Sequence, residues 1–173
     1  MKDNQPNIDV PARKWENLFH ILALLLFISL IFYIIFSFQS LPDQIPIHLN
    51  AKGEADNWGN KATILMWPLL AVPTMLLCYF LGRSPQVHNY PVKVTVENAS
   101  QLYKQSRLML ALVNFEIMVM YFMFAWEFVY TAKGNPGLGV WMLVLEIGPL
   151  LLTVFYFLFR MRKLKPTPEG NLE

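Results

Sequence analysis

The segment from residue 39 to residue 61 contains the densest group of side chains that could bind a ligand. A passive connection between two helices needs only about 2–8 residues, whereas this one has twenty-three. Imidazole, carboxylate and carboxamide groups follow one another closely there, and such groups can bind a cation or a polar head group. The alternative is a solvated loop with a tryptophan at a membrane interface. The candidate binding residues are His48, Asn50, Gly53, Asp56, Trp58 and Lys61.

The same segment has its own local pattern. Residues 45–49 alternate apolar and polar side chains, which predicts a short strand or extended segment. One histidine among scattered carboxylates lacks the paired ligand spacing of zinc sites. We therefore predict no metal centre, and nothing in the sequence predicts a cofactor.

Two acids, Glu116 and Glu146, fall inside long apolar runs, where a charge costs a few kcal/mol. Each lies eight residues into its run, about 12 Å from one end, and antiparallel runs would leave their heights about 8 Å apart. A proton or cation path through them is one interpretation. The other is that each acid is protonated or hydrogen-bonded and holds helices together. Glu127 follows Glu116 by three turns on the same helix face and is predicted to lie near the membrane surface.

The segment from residue 83 to residue 107 is the third candidate region. Thr95 is predicted to cap a helix that begins at Val96. The segment is interpreted either as a capped connector with basic anchors or as a docking surface for a cytoplasmic partner. It contains no nucleophile arranged for catalysis, and no catalytic motif occurs elsewhere, so we predict no enzyme active site.

Four apolar runs must position these groups. Of the 173 residues 55% are apolar and 15% are charged, against about 25% charged in an average soluble domain. The excess apolar surface is expected to face lipid, and a spanning helix needs about 20 apolar residues. We therefore predict an all-α integral membrane protein: a four-transmembrane-helix bundle with a long structured extracellular loop between helices 1 and 2. The predicted spans are 18–38, 62–81, 108–130 and 138–159.

The distribution of Lys and Arg predicts the orientation. Eleven of the fourteen lie on one side of the predicted spans and three on the other, which predicts that both termini are cytoplasmic. Residues 1–17 are then a cytoplasmic N-terminus, 18–160 the membrane domain and 161–173 a cytoplasmic tail. Both ends are polar and are expected to be flexible. A net charge of +2 is too small for a nucleic-acid-binding surface.

Two stretches resemble an uncharacterised bacterial membrane domain that forms the N-terminal part of the SdpI family of immunity proteins. One stretch has the form P-x-x-I-P-x-H-x-N-x-x-G-x-x-D-x-W-G-x-K and covers residues 42–61. The other stretch, from Asn89 to Tyr103, is similar to a signature of the stand-alone members. Its docking candidates are Asn89, Tyr90, Pro91, Glu97 and Asn98.

The resemblance implies a multi-pass protein of a Gram-positive-type bacterial plasma membrane. Full-length relatives protect a cell against a secreted killing peptide, and some sequester a repressor at the membrane. The leading hypothesis is a non-enzymatic immunity or sensing protein whose outer loop contacts an extracellular peptide or a lipid head group. The expected partners are membrane lipids, such a peptide, a membrane or cytoplasmic regulator, and further copies of the chain.

Three other hypotheses remain open. One is a small proton- or cation-coupled transporter that uses Glu116 and Glu146. Another is a membrane enzyme with His48 and Asp56 as an acid–base pair. The last is a structural subunit of a larger membrane complex.

Overall fold

The computed structural model describes residues 5–166, and the expectations for residues 1–4 and 167–173 lie outside that range. Four helices are long and apolar enough to cross a membrane, and they indicate a multi-pass membrane protein. A two-stranded hairpin lies between the first two helices. The elements in chain order are α1 (Lys14–Phe38), β1 (Gln44–Leu49), β2 (Ala55–Asn60), α2 (Met66–Gly82), α3 (Val96–Ala132) and α4 (Val140–Arg162).

The four predicted spans correspond to the four helices, which extend beyond the apolar runs at several ends. A 3₁₀ turn, Lys61–Leu65, precedes α2. The predicted start of α3 at Val96 is confirmed. The side chain of Asn98 accepts a hydrogen bond of 2.8 Å from the backbone N–H of Thr95, which satisfies one free donor at the start of the helix.

Helix α3 is the centre of the bundle. It packs against α1, α2 and α4, whereas α4 packs chiefly against α3. Small side chains lie where the helices approach: Ala23 of α1, Ala71 of α2 and Ala125 of α3 are completely buried. Membrane helices associate closely at such residues because lipid provides no hydrophobic force between them.

The loop between α1 and α2 adds an antiparallel hairpin to the predicted all-α bundle. The predicted strand at residues 45–49 lies within β1, which pairs with β2 and packs against α3. Ile45 is buried in the main apolar core together with Leu41 and Ile64. The hairpin and the α3–α4 connection, residues 133–139, form what we call the hairpin end of the bundle.

The opposite end, called the basic end, contains residues 5–13, the α2–α3 connection and the end of α4. The expectation that the N-terminus is flexible is wrong for residues 5–13. Val10 is buried in a second apolar core with Tyr103, whose hydroxyl donates to the carbonyl of Pro6 at 2.8 Å. Arg107 of α3 forms a buried ion pair with Glu16 of α1 at 2.6 Å. The chain before α1 is therefore packed onto α3.

Candidate binding site beneath the hairpin

The tip of the hairpin is organised by Asn50. Its Oδ1 accepts hydrogen bonds from the backbone N–H groups of Lys52 at 2.9 Å and Glu54 at 3.1 Å. Its Nδ2 donates to the carboxylate of Glu54 at 2.9 Å. Asn50 therefore shapes the turn, and part of its hydrogen-bonding capacity is used within the hairpin.

The tip docks onto the α3–α4 connection through backbone hydrogen bonds. The N–H of Gly137 donates to the carbonyl of Gly53 at 3.1 Å, and the N–H of Val140 donates to that of Ala51 at 3.0 Å. Gly53 has φ of +81°, and a Cβ there would lie 2.3 Å from the carbonyl oxygen of Gly137. Gly53 is therefore required by the docking itself, because a side chain would separate the two backbones.

His48 and Asp56 form a pair across the hairpin. The distance from Nδ1 of His48 to Oδ1 of Asp56 is 2.5 Å, and both side chains are exposed. The strand ladder is irregular beside His48, which brings Asp56 next to it. Within residues 5–166, no group of three His, Cys, Asp or Glu side chains is placed to hold a metal ion.

A cavity of about 420 Å³ lies beneath the docked hairpin, between α2, α3 and α4. Aromatic side chains form one wall, where the rings of Trp67 and Phe124 stack with centroids 5.1 Å apart. Three polar side chains border it: His48 and Asn50 from the hairpin, and Glu127 from α3. The cavity is thus mainly apolar with a polar rim, the usual character of a small ligand site. The remaining residues lining it are Ile47, Leu49, Ala51, Phe128, Gly139, Val140, Met142 and Leu143.

Glu127 is part of this site, although its position suggested only a surface location. Its side chain is 3% exposed, and its Oε1 accepts a hydrogen bond of 2.7 Å from the backbone N–H of Leu138. It therefore ties α3 to the connection that carries the docked hairpin. The sequence placed Glu127 three turns after Glu116 on the same helix face, which indicated that the two acids share an environment. It could not predict that the α3–α4 connection would fold over Glu127 and bury it.

Trp58 and Lys61 lie away from the cavity lining. Trp58 of β2 is 51% exposed. The ammonium group of Lys61 lies 3.3 Å from the carboxylate of Asp43 and 5.4 Å from the centre of the Phe38 ring. Lys61 therefore anchors the base of the hairpin to the end of α1, and its charge is paired within the loop.

The two predicted intramembrane acids lie at different points of the α3–α4 interface. Thr153 of α4 donates to Oε1 of Glu116 at 2.6 Å, whereas Oε2 has no partner within the described residues. Glu146 of α4 is buried. Glu146 precedes Thr153 by seven residues, about 10 Å along the helix. Glu146 therefore lies away from the contact between Glu116 and Thr153.

The docking candidates at the basic end divide into tied and exposed residues. The Nδ2 of Asn98 donates to the carbonyls of Lys93 and Leu164 at 3.0 and 2.9 Å, which joins the start of α3 to the end of α4. The hydroxyl of Tyr90 donates to the carbonyl of Pro85 at 2.8 Å, and burial raises its pKa. Asn89 and Glu97 are exposed and Pro91 is half-buried.

Residues 24–72 match a protein-family model described as a domain of unknown function (DUF1648). The match covers the larger part of α1, the hairpin and the start of α2, so it includes all six candidate residues of the loop. It ends before α3 and α4, which supply the other walls of the cavity. No curated protein and no solved structure matches the chain.

Proposed function

We propose that this chain is a non-enzymatic plasma-membrane protein of the immunity or sensing type, and that its hairpin-covered cavity binds an extracellular peptide or a lipid. The resemblance to the immunity proteins supports this class. The observation that carries the proposal is the cavity itself, because it joins an aromatic wall to a rim with His48 and Asn50. An amphipathic ligand would place an apolar group against Trp67 and its polar group at the rim.

Ligand binding at this position would act on α4. The hairpin that covers the cavity also bonds to Val140, the first residue of α4. A ligand that favours one position of the hairpin therefore favours one position of the start of α4. This link supports a sensing role, in which occupancy of the cavity changes how α4 packs on α3.

The charges support an orientation with the hairpin end outside. Within the described residues, three Lys or Arg lie in or beside the hairpin end, and ten lie in or beside the basic end, including those in the adjoining parts of α1 and α3. Basic segments are retained on the cytoplasmic side of bacterial membranes. In this proposal the basic end, with both termini, faces the cytoplasm of a bacterial cell.

Survival of a sensitive strain under a panel of envelope-directed peptides tests the proposal. The strain would carry the wild type, Leu143→Trp, Leu145→Trp or an empty vector at matched membrane levels. Leu143 lines the cavity, whereas Leu145 is an exposed residue of the same helix outside it, so the second variant controls for the bulk of tryptophan. We expect wild type and Leu145→Trp to protect and Leu143→Trp to lose protection. Equal survival of all four strains against every peptide would reject the proposal for that panel.

A transporter is the second candidate, and the buried acids of the α3–α4 interface favour it. Glu127 and Glu146 are buried and Glu116 is half-buried at this interface, and carboxyl groups inside membrane helices commonly mark ion pathways. Proton uptake into liposomes with an enclosed pH-sensitive dye separates the two functions. Under this second proposal Glu146→Gln abolishes uptake, whereas protection against peptides is unchanged.

A further inference from the structure

A groove of about 450 Å³ lies between α1 and α4 in the basic half of the bundle. Both helices pack against α3, and Leu108 and Leu112 of α3 form the floor of the groove. The groove shares no lining residue with the cavity beneath the hairpin, so an argument about it does not depend on the proposed function.

Most of the groove is apolar and opens towards the lipid. On α4 its lining extends from Leu152 to Arg160, which is about 12 Å along the helix. Leu152 is 72% exposed, and Trp15 on the α1 side is 63% exposed, so the groove is open along the outer surface of the bundle. The hydroxyl of Thr153 also lines it but already donates to Glu116. The body of the groove therefore suits a section of an acyl chain.

The polar groups lie together at the basic end of the groove. Nη1 of Arg160 donates to the hydroxyl oxygen of Tyr156 at 3.1 Å. The hydroxyl proton of Tyr156 and the other guanidinium N–H groups have no acceptor within residues 5–166. No carboxylate in the same range lies within 4 Å of Arg160. This end of the groove therefore carries a positive charge and a set of hydrogen-bond donors held side by side.

These donors select the head group. Phosphodiester oxygens are negatively charged and only accept hydrogen bonds, and a guanidinium group can bind two of them at once. The carboxylate of Glu16 on α1 does not compete for Arg160, because it pairs with Arg107 at 2.6 Å. Trp15 and Tyr156 are exposed aromatic side chains of the kind found at the level of lipid head groups.

We propose that this groove binds one anionic phospholipid. The head-group phosphate lies against Arg160 and Tyr156, and one acyl chain lies in the groove between α1 and α4. An arginine that only extends to the head-group region would contact anionic and zwitterionic lipids alike. Selectivity for the anionic lipid is therefore the property that distinguishes a binding site from general contact with the bilayer.

Native mass spectrometry of the delipidated full chain tests the proposal. Phosphatidylglycerol and phosphatidylcholine with identical acyl chains are titrated separately, and the Kd of the first bound lipid is measured. We expect phosphatidylglycerol to bind about tenfold more tightly. An equal concentration of glycerophosphoglycerol, which is its head group without chains, should displace none of it. Equal Kd values for the two lipids, or displacement by the free head group, would overturn the proposal.

Two arginine variants locate the site. Arg160→Gln should weaken phosphatidylglycerol about tenfold and leave phosphatidylcholine unchanged, which removes the selectivity. Arg162→Gln removes the same charge from an exposed residue of the same helix end outside the groove lining, so the selectivity should remain. Equal effects of the two variants would show a diffuse attraction to the basic end and would contradict the assignment.

A third variant tests the hydroxyl donor. Tyr156→Phe keeps the aromatic ring and removes the hydroxyl group, so phosphatidylglycerol should bind about threefold more weakly. Both Tyr156 and Arg160 are exposed, so neither substitution disturbs the core of the bundle. An unchanged Kd in Tyr156→Phe would contradict the placement of the phosphate between the two side chains.

Discussion

Replacement of Gly53 by alanine should release the hairpin from the α3–α4 connection. An alanine at φ of +81° costs about 1 kcal/mol. Its Cβ would also lie 2.3 Å from the carbonyl oxygen and 2.5 Å from the carbonyl carbon of Gly137. Both atoms belong to the backbone, so the strain cannot be relieved by rotating a side chain, and the tip must move away.

The expected loss of docking free energy follows from the hydrogen bonds that this movement breaks. The two docking hydrogen bonds, from Gly137 and Val140 to the hairpin, contribute about 1 kcal/mol each. With the backbone strain, docking should weaken by about 3 kcal/mol. The helices keep their own contacts, so we expect local release and no global unfolding.

Gly134→Ala is the matched control. Gly134 also has a positive φ, of +87°, but a Cβ there would meet no atom within 4 Å. This variant carries the backbone strain of about 1 kcal/mol and spares the docking contacts. The two variants should differ by about 2 kcal/mol in the free energy of docking, and this difference measures the contacts between the hairpin and the α3–α4 connection.

Amide hydrogen exchange in nanodiscs measures the release. The N–H of Gly137 is protected by its bond to Gly53, so its exchange should be about 30-fold faster in Gly53→Ala than in Gly134→Ala. Amides in the middle of α3 serve as the internal reference. Equal exchange of the Gly137 amide in both variants would refute the conclusion that these backbones are in contact.

Three further predictions concern the basic end and the orientation. Glu16→Gln should lower the free energy of unfolding by about 3 kcal/mol, because it leaves the Arg107 guanidinium buried without a charge partner; unfolding in detergent measures this, and a loss below about 0.5 kcal/mol would contradict it. Burial lowers the pKa of His88 below its ordinary value of 6.5, so its contribution to stability is complete above pH 6.5 and is lost as the pH falls through the lowered pKa. After correction for the intrinsic slowing of exchange at lower pH, the protection factors of amides in the α2–α3 connection should therefore fall between pH 7.5 and 5 in the wild type, and His88→Gln should remove most of that fall. In a cysteine-free background, a membrane-impermeant maleimide added to intact cells should label Lys52→Cys and should label Lys93→Cys only after permeabilisation; the reverse pattern would overturn the proposed orientation.

The helices could be predicted because each one is determined by the apolar residues of its own segment. Mainly apolar runs of about 20 residues predict spans wherever they occur, and Thr95 followed by Asn98 marks the start of α3. The second strand was missed because its sequence, ADNWGN, has few β-formers and no clear alternation. This segment forms a strand because it pairs with β1, and its own residues do not indicate one.

The candidate site could be predicted only in part. His48 and Asn50 were identified from residue type, and both border the cavity. The cavity walls from α3 and α4 were not predicted, because they depend on how distant helices pack. Lys61 was also identified from residue type, and the structure places it against Asp43 and Phe38 and outside the cavity lining, so its part in ligand binding stays a prediction.

The length of α3 has a consequence of its own. Thirty-seven residues give a rod of about 55 Å, against a hydrocarbon thickness of about 30 Å. No proline interrupts α3, so we expect it to move as one rigid helix, with Glu127 near one end and Tyr103 near the other. A small tilt of α3 at the hairpin end would displace its other end by an amount that grows with the length of the helix. Residues 5–13 and the α2–α3 connection, which pack against that end, would move with it. If the cavity binds a ligand as proposed, a tilt of α3 would carry its effect from the hairpin end to the basic end without any change in secondary structure.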